Sequence, residues 1–254
     1  MLEKIIIAIS AYFKAHQFIV KNKLWKWILI SGIFYAILFV AGIYFFWQSS
    51  SNIIEYLLAK VELKNWLQKE NTGWLSFIFI FGHIVLHLIL MLFYFSLFKY
   101  LFLIIGSPLF AYLSEKTEAI LLNEAYPFSF KKFVADAIRG IRIAIRNALW
   151  QTVYMVGILF LALIPILGWI TPLLGLFIEC FYLGFSMLDY TSERKGLSSP
   201  QSIDFINRHK GLAIGNGMAF YLMHVIPVIG WIFAPGYAVI AATLSLQMTV
   251  DKAA

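Results

Sequence analysis

Charge is what this sequence has least of: Asp, Glu, Lys and Arg make up 13% of its 254 residues, about half the share of an ordinary soluble domain. With 61% hydrophobic residues such a chain cannot cover itself with polar groups, and it reads as a membrane protein. Cysteine is nearly absent. The single Cys180 excludes an intrachain disulfide and leaves the redox compartment open, and its apolar surroundings suit a small buried hydrophobe. No Ser/Gly/Pro-rich linker or long charged block divides the chain, so residues 1–254 are expected to form a single helical membrane domain. A cleavable signal is not expected either, because IIIAISAYF runs into Lys14, His16, Lys21, Lys23 and Lys26 without a small-residue cleavage site. Nucleophile elbow, P-loop, dinucleotide fingerprint and Cys/His metal spacing are all missing. That leaves enzyme chemistry, cofactors and metals without a recognisable site.

Among the charges present the balance is basic, with a net +7. The basic residues flank apolar runs and no nucleic-acid module accompanies them, so the expected partner is the lipid headgroup layer and not nucleic acid. Residues 3–22 carry apolar groups largely on one face, as a helix lying in the interface would. Trp25 to Trp47 is uncharged and long enough for one crossing, and Trp74 to Ile105 is a second, longer span. Residues 48–73 mix charge with apolar positions and predict a small extramembrane helical connection. Ser107 and Pro108 read as the cap and first position of a new amphipathic helix. In residues 129–147, Lys132, Asp136, Arg139, Arg142 and Arg146 share one face, a basic stripe on an interfacial helix.

Proline and glycine are scarce but placed twice in the most apolar sequence. IPILGWI (164–170) returns as IPVIGWI (226–232). Each copy separates apolar runs of about 14 to 17 residues, below the roughly 20 needed to cross. Pro165 and Gly168, then Pro227 and Gly230, are expected to reverse the chain, either as a turn between two short spans or as the tip of a re-entrant hairpin. The fold class is therefore all-α and integral to the membrane: two long transmembrane helices, amphipathic interfacial helices and two Pro/Gly-tipped helical hairpins. The Lys and Arg distribution places the N-terminus and the segments 106–147 and 189–210 on the cytoplasmic face.

Candidate functional residues follow from this frame. Lys23 and Lys26 precede a span and suit an anion at the mouth of a pathway, or a positive-inside anchor. Arg139, Arg142 and Arg146 suit an electropositive vestibule or lipid phosphate. Glu179 is a carboxylate deep in an apolar run, where it must be protonated, paired or hydrated. His83 and His87, at i and i+4 in the second span, are candidates for a proton relay, since no Glu completes an HExxH zinc motif. Asp189 and Arg194 suit pairing and capping where the first hairpin exits.

Four stretches together carry a family resemblance: IIGSPLFAYLSEKTEAIL (104–121), LDYTSERKG (188–196), AIGNGMAF (213–220) and IPVIGWIFAPGYAVIAAT (226–243). The chain from Trp25 to Thr243 resembles the CysZ family of bacterial inner-membrane proteins, which includes the etoposide-induced-protein-like domain. The resemblance implies two long spans, two pairs of helices dipping partly into the bilayer, a homo-oligomer, and entry of sulfate for cysteine synthesis. The family's Gly-Leu-Arg turn before the first span appears here as Lys21-Asn22-Lys23-Leu24-Trp25-Lys26, with the leucine kept, the glycine absent and lysine replacing arginine. Lysine offers a point charge where arginine offers a planar fork. The family's DYP reads Asp189-Tyr190-Thr191, and its GFG reads Gly215-Asn216-Gly217. The leading expectation is a transporter or channel for a small inorganic anion, most simply sulfate. The alternatives are a non-transporting protein that remodels lipid or scaffolds partners, and a histidine-dependent cation or proton carrier.

Overall fold

The structure, a computed structural model, describes residues 1–60, 73–124, 129–162 and 170–251. Among them every regular element is a helix: α1 (Leu2–Lys21), α2 (Trp25–Lys60), α3 (Gly73–Leu122), α4 (Phe130–Ala162), α5 (Thr171–Arg194), α6 (Ser199–Arg208), α7 (Lys210–His224) and α8 (Ile229–Asp251). Three stretches among the described residues are long and apolar enough to cross a bilayer: Trp25–Ser49, Thr171–Arg194 and Ile229–Thr249.

Several boundaries differ from those the sequence suggested. The first part of the charged connection is helical and continuous with the span before it, since α2 runs without a break to Lys60 while its apolar stretch ends at Ser49; residues 61–72 lie outside the described part. Ser107 is no cap and Pro108 starts no helix, since both lie inside the 50-residue α3. Ser107 instead donates to the Ala137 carbonyl at 3.1 Å. Residues 129–147 and the apolar run after them form one helix, α4. The second arms of the two repeats are also longer than their uninterrupted apolar runs: α5 has 24 residues, and α8 has 23 with Pro235 inside it. At Pro108 and Pro235 local breaker propensity lost to tertiary packing. A proline removes one backbone bond, whereas side chains packed on both sides of it hold the helix on course.

The chain forms two compact units, residues 1–36 with 100–254 and residues 37–99. In the smaller unit the hydroxyl of Tyr94 donates to the Gly42 carbonyl at 2.7 Å, and the Phe39 and Phe98 rings meet at 6.1 Å. Val40, Tyr44 and Trp47 stay exposed on α2, as expected of a helix in lipid.

The larger unit is built around α7, which packs against α1, α5, α6 and α8. Small residues allow it. A Cβ on Gly184 would strike the Ala213 carbonyl and one on Gly217 the Cys180 carbonyl, so α5 and α7 touch backbone to backbone. Across α1, a Cβ on Gly211 would come within 2.6 Å of the Met1 carbonyl and one on Gly215 within 2.7 Å of the Ile5 carbonyl. Ala8, Ala11 and Ala15 are fully buried on the facing helix. This is the small-xxx-small packing by which helices associate where apolar burial alone provides no drive. Tyr12 adds a buried bond to the Asn216 carbonyl at 2.8 Å. Burial, with Cys180 beside it, holds its phenol well above the ordinary value and keeps it a neutral donor.

α1 is three-sided. Ile7, Ala8, Ala11, Tyr12, Ala15 and Ile19 are buried, Glu3, Lys14, Gln17 and Lys21 are exposed on a polar side, and Ile6, Phe13 and Val20 are exposed on an apolar one. A helix with its own protein contact, a polar face and a free apolar stripe suits the bilayer surface.

Candidate anion pathway

The second repeat is a tight corner. α7 ends at His224 and α8 begins at Ile229. Between them Ile226 donates to the Met223 carbonyl at 3.1 Å, Ile229 to the Pro227 carbonyl at 2.7 Å and Gly230 to the Ile226 carbonyl at 2.9 Å. Val228 sits at φ 62, a left-handed conformation unusual for a β-branched residue. A Cβ on Gly230 would collide with the Met223 carbonyl, which accounts for the glycine. The indole of Trp231 donates back to the His224 carbonyl at 3.2 Å. Val225 is 78% exposed, and Ile226, Val228 and Ile229 are exposed beside it, an apolar surface of the kind that marks a membrane or protein contact. Pro165 and Gly168 of the first repeat lie outside the described residues.

Beneath the apolar exterior, α4 and α5 share a polar seam. Asn147 and Gln151 are fully buried one turn apart on α4, and Ser186 is buried on α5. Asn147 donates to Ser186 Oγ at 3.2 Å and accepts from Arg146 Nη1 at 2.9 Å. The Gln151 amide donates to Glu179 Oε1, while its own carbonyl oxygen accepts from the Tyr100 hydroxyl. Tyr221 of α7 donates to the other oxygen of Glu179 at 3.0 Å. Glu179 thus accepts from an amide and a phenol. In a low-dielectric setting such donors stabilise the carboxylate only when all are in place.

At the end of the seam lies a charged knot. Arg139 meets Asp189 with two bonds, 3.1 and 3.4 Å, and donates to the Leu197 carbonyl at 2.5 Å; Glu193 stands 3.9 Å away. Ser202 of α6 donates to Asp189. Arg194 pairs with Asp136 at 2.5 Å and with Glu115 at 3.7 Å. Asp189 and Arg194 do pair, each with α4 and not with each other. The knot joins α3, α4, α5 and α6 where α5 ends at Arg194, and Gly196 two residues beyond, at a φ of 73, completes the helix stop.

The basic stripe therefore separates into three environments. Arg139 is occupied by carboxylates. Arg142 is exposed. Arg146 lies between, its guanidinium 5.4 Å from the Phe185 ring centre and bonded to Asn147. His83 and His87 fall within α3, with their side chains outside the described residues.

The α1–α2 corner contains Lys23 and Lys26, both exposed. Leu24 N–H reaches the Ile19 carbonyl at 3.1 Å and Lys23 N–H the Val20 carbonyl at 3.4 Å, with Lys23 at φ 53. This is a Schellman stop with lysine in the place glycine prefers, and fully buried Ile19 and nearly buried Leu24 provide its apolar clasp. The N-terminus of α2 follows at once, where first-turn N–H groups and the helix dipole favour an anion. Neighbouring rings brace the corner: His16 Nδ1 and the Tyr237 hydroxyl are 2.7 Å apart, and Trp25 meets Phe233 edge-on at 5.9 Å.

Sequence reasoning overlooked Tyr100, Asn147, Gln151, Ser186 and Tyr221. The available signal was the pair Asn147 and Gln151 at i and i+4 entering an apolar run, the spacing that puts two amides on one face.

Comparison with known proteins agrees with this architecture. A family profile described as Sulfate transporter CysZ/Etoposide-induced protein 2.4 matches residues 11–235. A protein named Sulfate transporter CysZ from Pseudomonas syringae pv. tomato is 28% identical over 174 residues, 67% of this chain and 68% of its own. Another of that name from Pseudomonas fluorescens is 26% identical over 143 residues, 56% of this chain and 57% of its own. The chain is a member of the Sulfate transporter CysZ/Etoposide-induced protein 2.4 family.

Proposed function

We propose that the protein conducts a small inorganic oxyanion, sulfate, across the bacterial cytoplasmic membrane, working as a homo-oligomer. The observation that carries this reading is the polar seam: Asn147, Gln151 and Ser186 buried together with Glu179 inside helices whose outer faces are apolar. Polar groups in such a place are costly, and in membrane proteins they mark solute routes. The relatives named for sulfate transport supply the substrate.

In this reading Lys23, Lys26 and the first N–H groups of α2 draw the anion to the cytoplasmic mouth, replacing part of its hydration with fixed donors. Lysine in place of the family's arginine makes the capture less directional. Arg146, with Asn147, stands at the entrance to the seam. Arg139 positions the helices and leaves the anion to others. Glu179 repels an anion while ionised, so passage requires its charge to be neutralised or hydrated at that moment.

Labelled sulfate uptake into proteoliposomes tests the proposal. Uptake above empty vesicles, saturable and reduced in the double variant Lys23→Gln, Lys26→Gln, is the expected result. Uptake equal to empty vesicles over a range of pH would end the transport reading and leave the lipid-remodelling alternative, which vesicle-deformation imaging then measures.

A further inference from the structure

We propose that Arg142 binds the phosphate of an anionic phospholipid and fixes the depth at which α4 enters the bilayer. Ile138, Arg142, Ile145, Leu149, Val153 and Phe160 are all exposed, spaced by three, four or seven residues, and so lie along one line of the helix. Arg142 interrupts an otherwise apolar stripe. Three turns earlier on the same line Lys131 is exposed, but beyond Arg142 no exposed residue of α4 carries a charge. The one later charge, Arg146, is directed to Asn147 and the Phe185 ring. Exposed charge therefore stops at Arg142, as it must where a helix passes from headgroups into hydrocarbon.

The three arginines of this face make the assignment specific. Arg139 has Asp189 and the Leu197 carbonyl, and Arg146 has Asn147. Arg142 has no hydrogen-bond or ion-pair partner among the described residues. A guanidinium carries donors in a planar fork that fits a phosphate, and its stem lies along apolar neighbours while its head stays at the polar boundary. A phosphodiester held in a sheet of its fellows, with acyl chains to cover Ile145 and Leu149, satisfies both the charge and the stripe; a free anion satisfies only the charge. The inference rests on α4 entering a membrane and is independent of what the protein transports.

The test uses the full chain with Cys180→Ala, reconstituted in phosphatidylcholine vesicles containing phosphatidylglycerol. Spin labels at Ile138→Cys and at Leu149→Cys are read against a water-soluble nickel chelate and against oxygen. Residue 138 is expected to respond mainly to nickel and residue 149 to oxygen. Photoreactive phosphatidylglycerol is expected to label residues 138–149, with labelling falling about five-fold in Arg142→Gln, the worth of one basic residue near an anionic surface, and persisting in Arg142→Lys. Three results would overturn the assignment: both labels reporting the same phase, labelling in Arg142→Gln equal to that of the unaltered arginine, or loss of labelling on adding millimolar sulfate, which would give the guanidinium to the solute. None of these readouts depends on uptake.

Discussion

The two copies of IPxxGWI adjoin two helix pairs that solve the same problem differently. In the pair α4/α5 the outer face is apolar and exposed while the shared face is polar, from Gln151 and Glu179 to the knot around Asp189. The pair α7/α8 relies on small residues: Gly211 and Gly215 of α7 meet α1, Gly217 meets α5, Ala234, Ala238, Ala241 and Ala242 are buried on α8, and Asn216 donates to the Ala238 carbonyl at 3.0 Å. Of the apolar window in α8, 72% is buried, against 56% in α5. One pair is joined by directional bonds along a polar seam; the other brings its small residues close to the backbones of its neighbours and forms the centre. Membrane helices can be joined in either way, and the polar manner leaves groups that a solute can use.

Replacing partners in each pair sharpens the contrast, and the largest effect belongs to the knot. Asp189→Leu removes the two-bond carboxylate acceptor of Arg139 and leaves its guanidinium only the Leu197 carbonyl and Glu193 at 3.9 Å, with an expected loss of about 3 kcal/mol or more in stability, read as a collapse of the folded fraction on size-exclusion chromatography. Gly217→Val forces α5 and α7 apart and is expected to cost about 1–3 kcal/mol, seen as a lowered melting temperature in detergent. Gln151→Leu breaks the Tyr100–Gln151–Glu179 chain and is expected to cost about 1–3 kcal/mol through the donors and acceptors it strands; unlike Gly217→Val, it should also abolish sulfate uptake in the protein that remains folded. Gly157→Ala is the mild control. A Cβ there meets nothing within 4 Å, so it is expected to stabilise α4 by up to about 1 kcal/mol with uptake unchanged. A melting-temperature loss for Gly157→Ala as large as that for Gly217→Val would erase the distinction between the pairs.

How much of this was legible beforehand depended on whether the cause was local. The apolar composition and the second corner could be read directly, because proline and glycine act on their own stretch of chain. Pro108 and Pro235 misled for the same reason: their local preference is to break a helix, and only packing from distant residues overrules it. The fate of Arg139 was hidden more completely. Asp189 stands 50 positions away, and nothing in the spacing of Arg139, Arg142 and Arg146 shows that of three like residues on one face one meets an acid, one stays exposed and one meets an amide. Glu179 was visible as an anomaly, yet Gln151 and Tyr221, which donate to it, are uncharged, and uncharged polar residues in apolar runs attract little notice.

The left-handed lysine at position 23 has a consequence for how the α1–α2 corner is inherited. A glycine adopts that conformation without steric hindrance, whereas a lysine there costs of the order of 1 kcal/mol, so the bend is imposed by its surroundings. Cut out as a short peptide, residues 15–30 should relax into a different shape. Ile19 and Leu24, though uncharged, thereby govern the aim of Lys26; in the proposed transport, shaving either to alanine is expected to weaken sulfate uptake without altering a single charge.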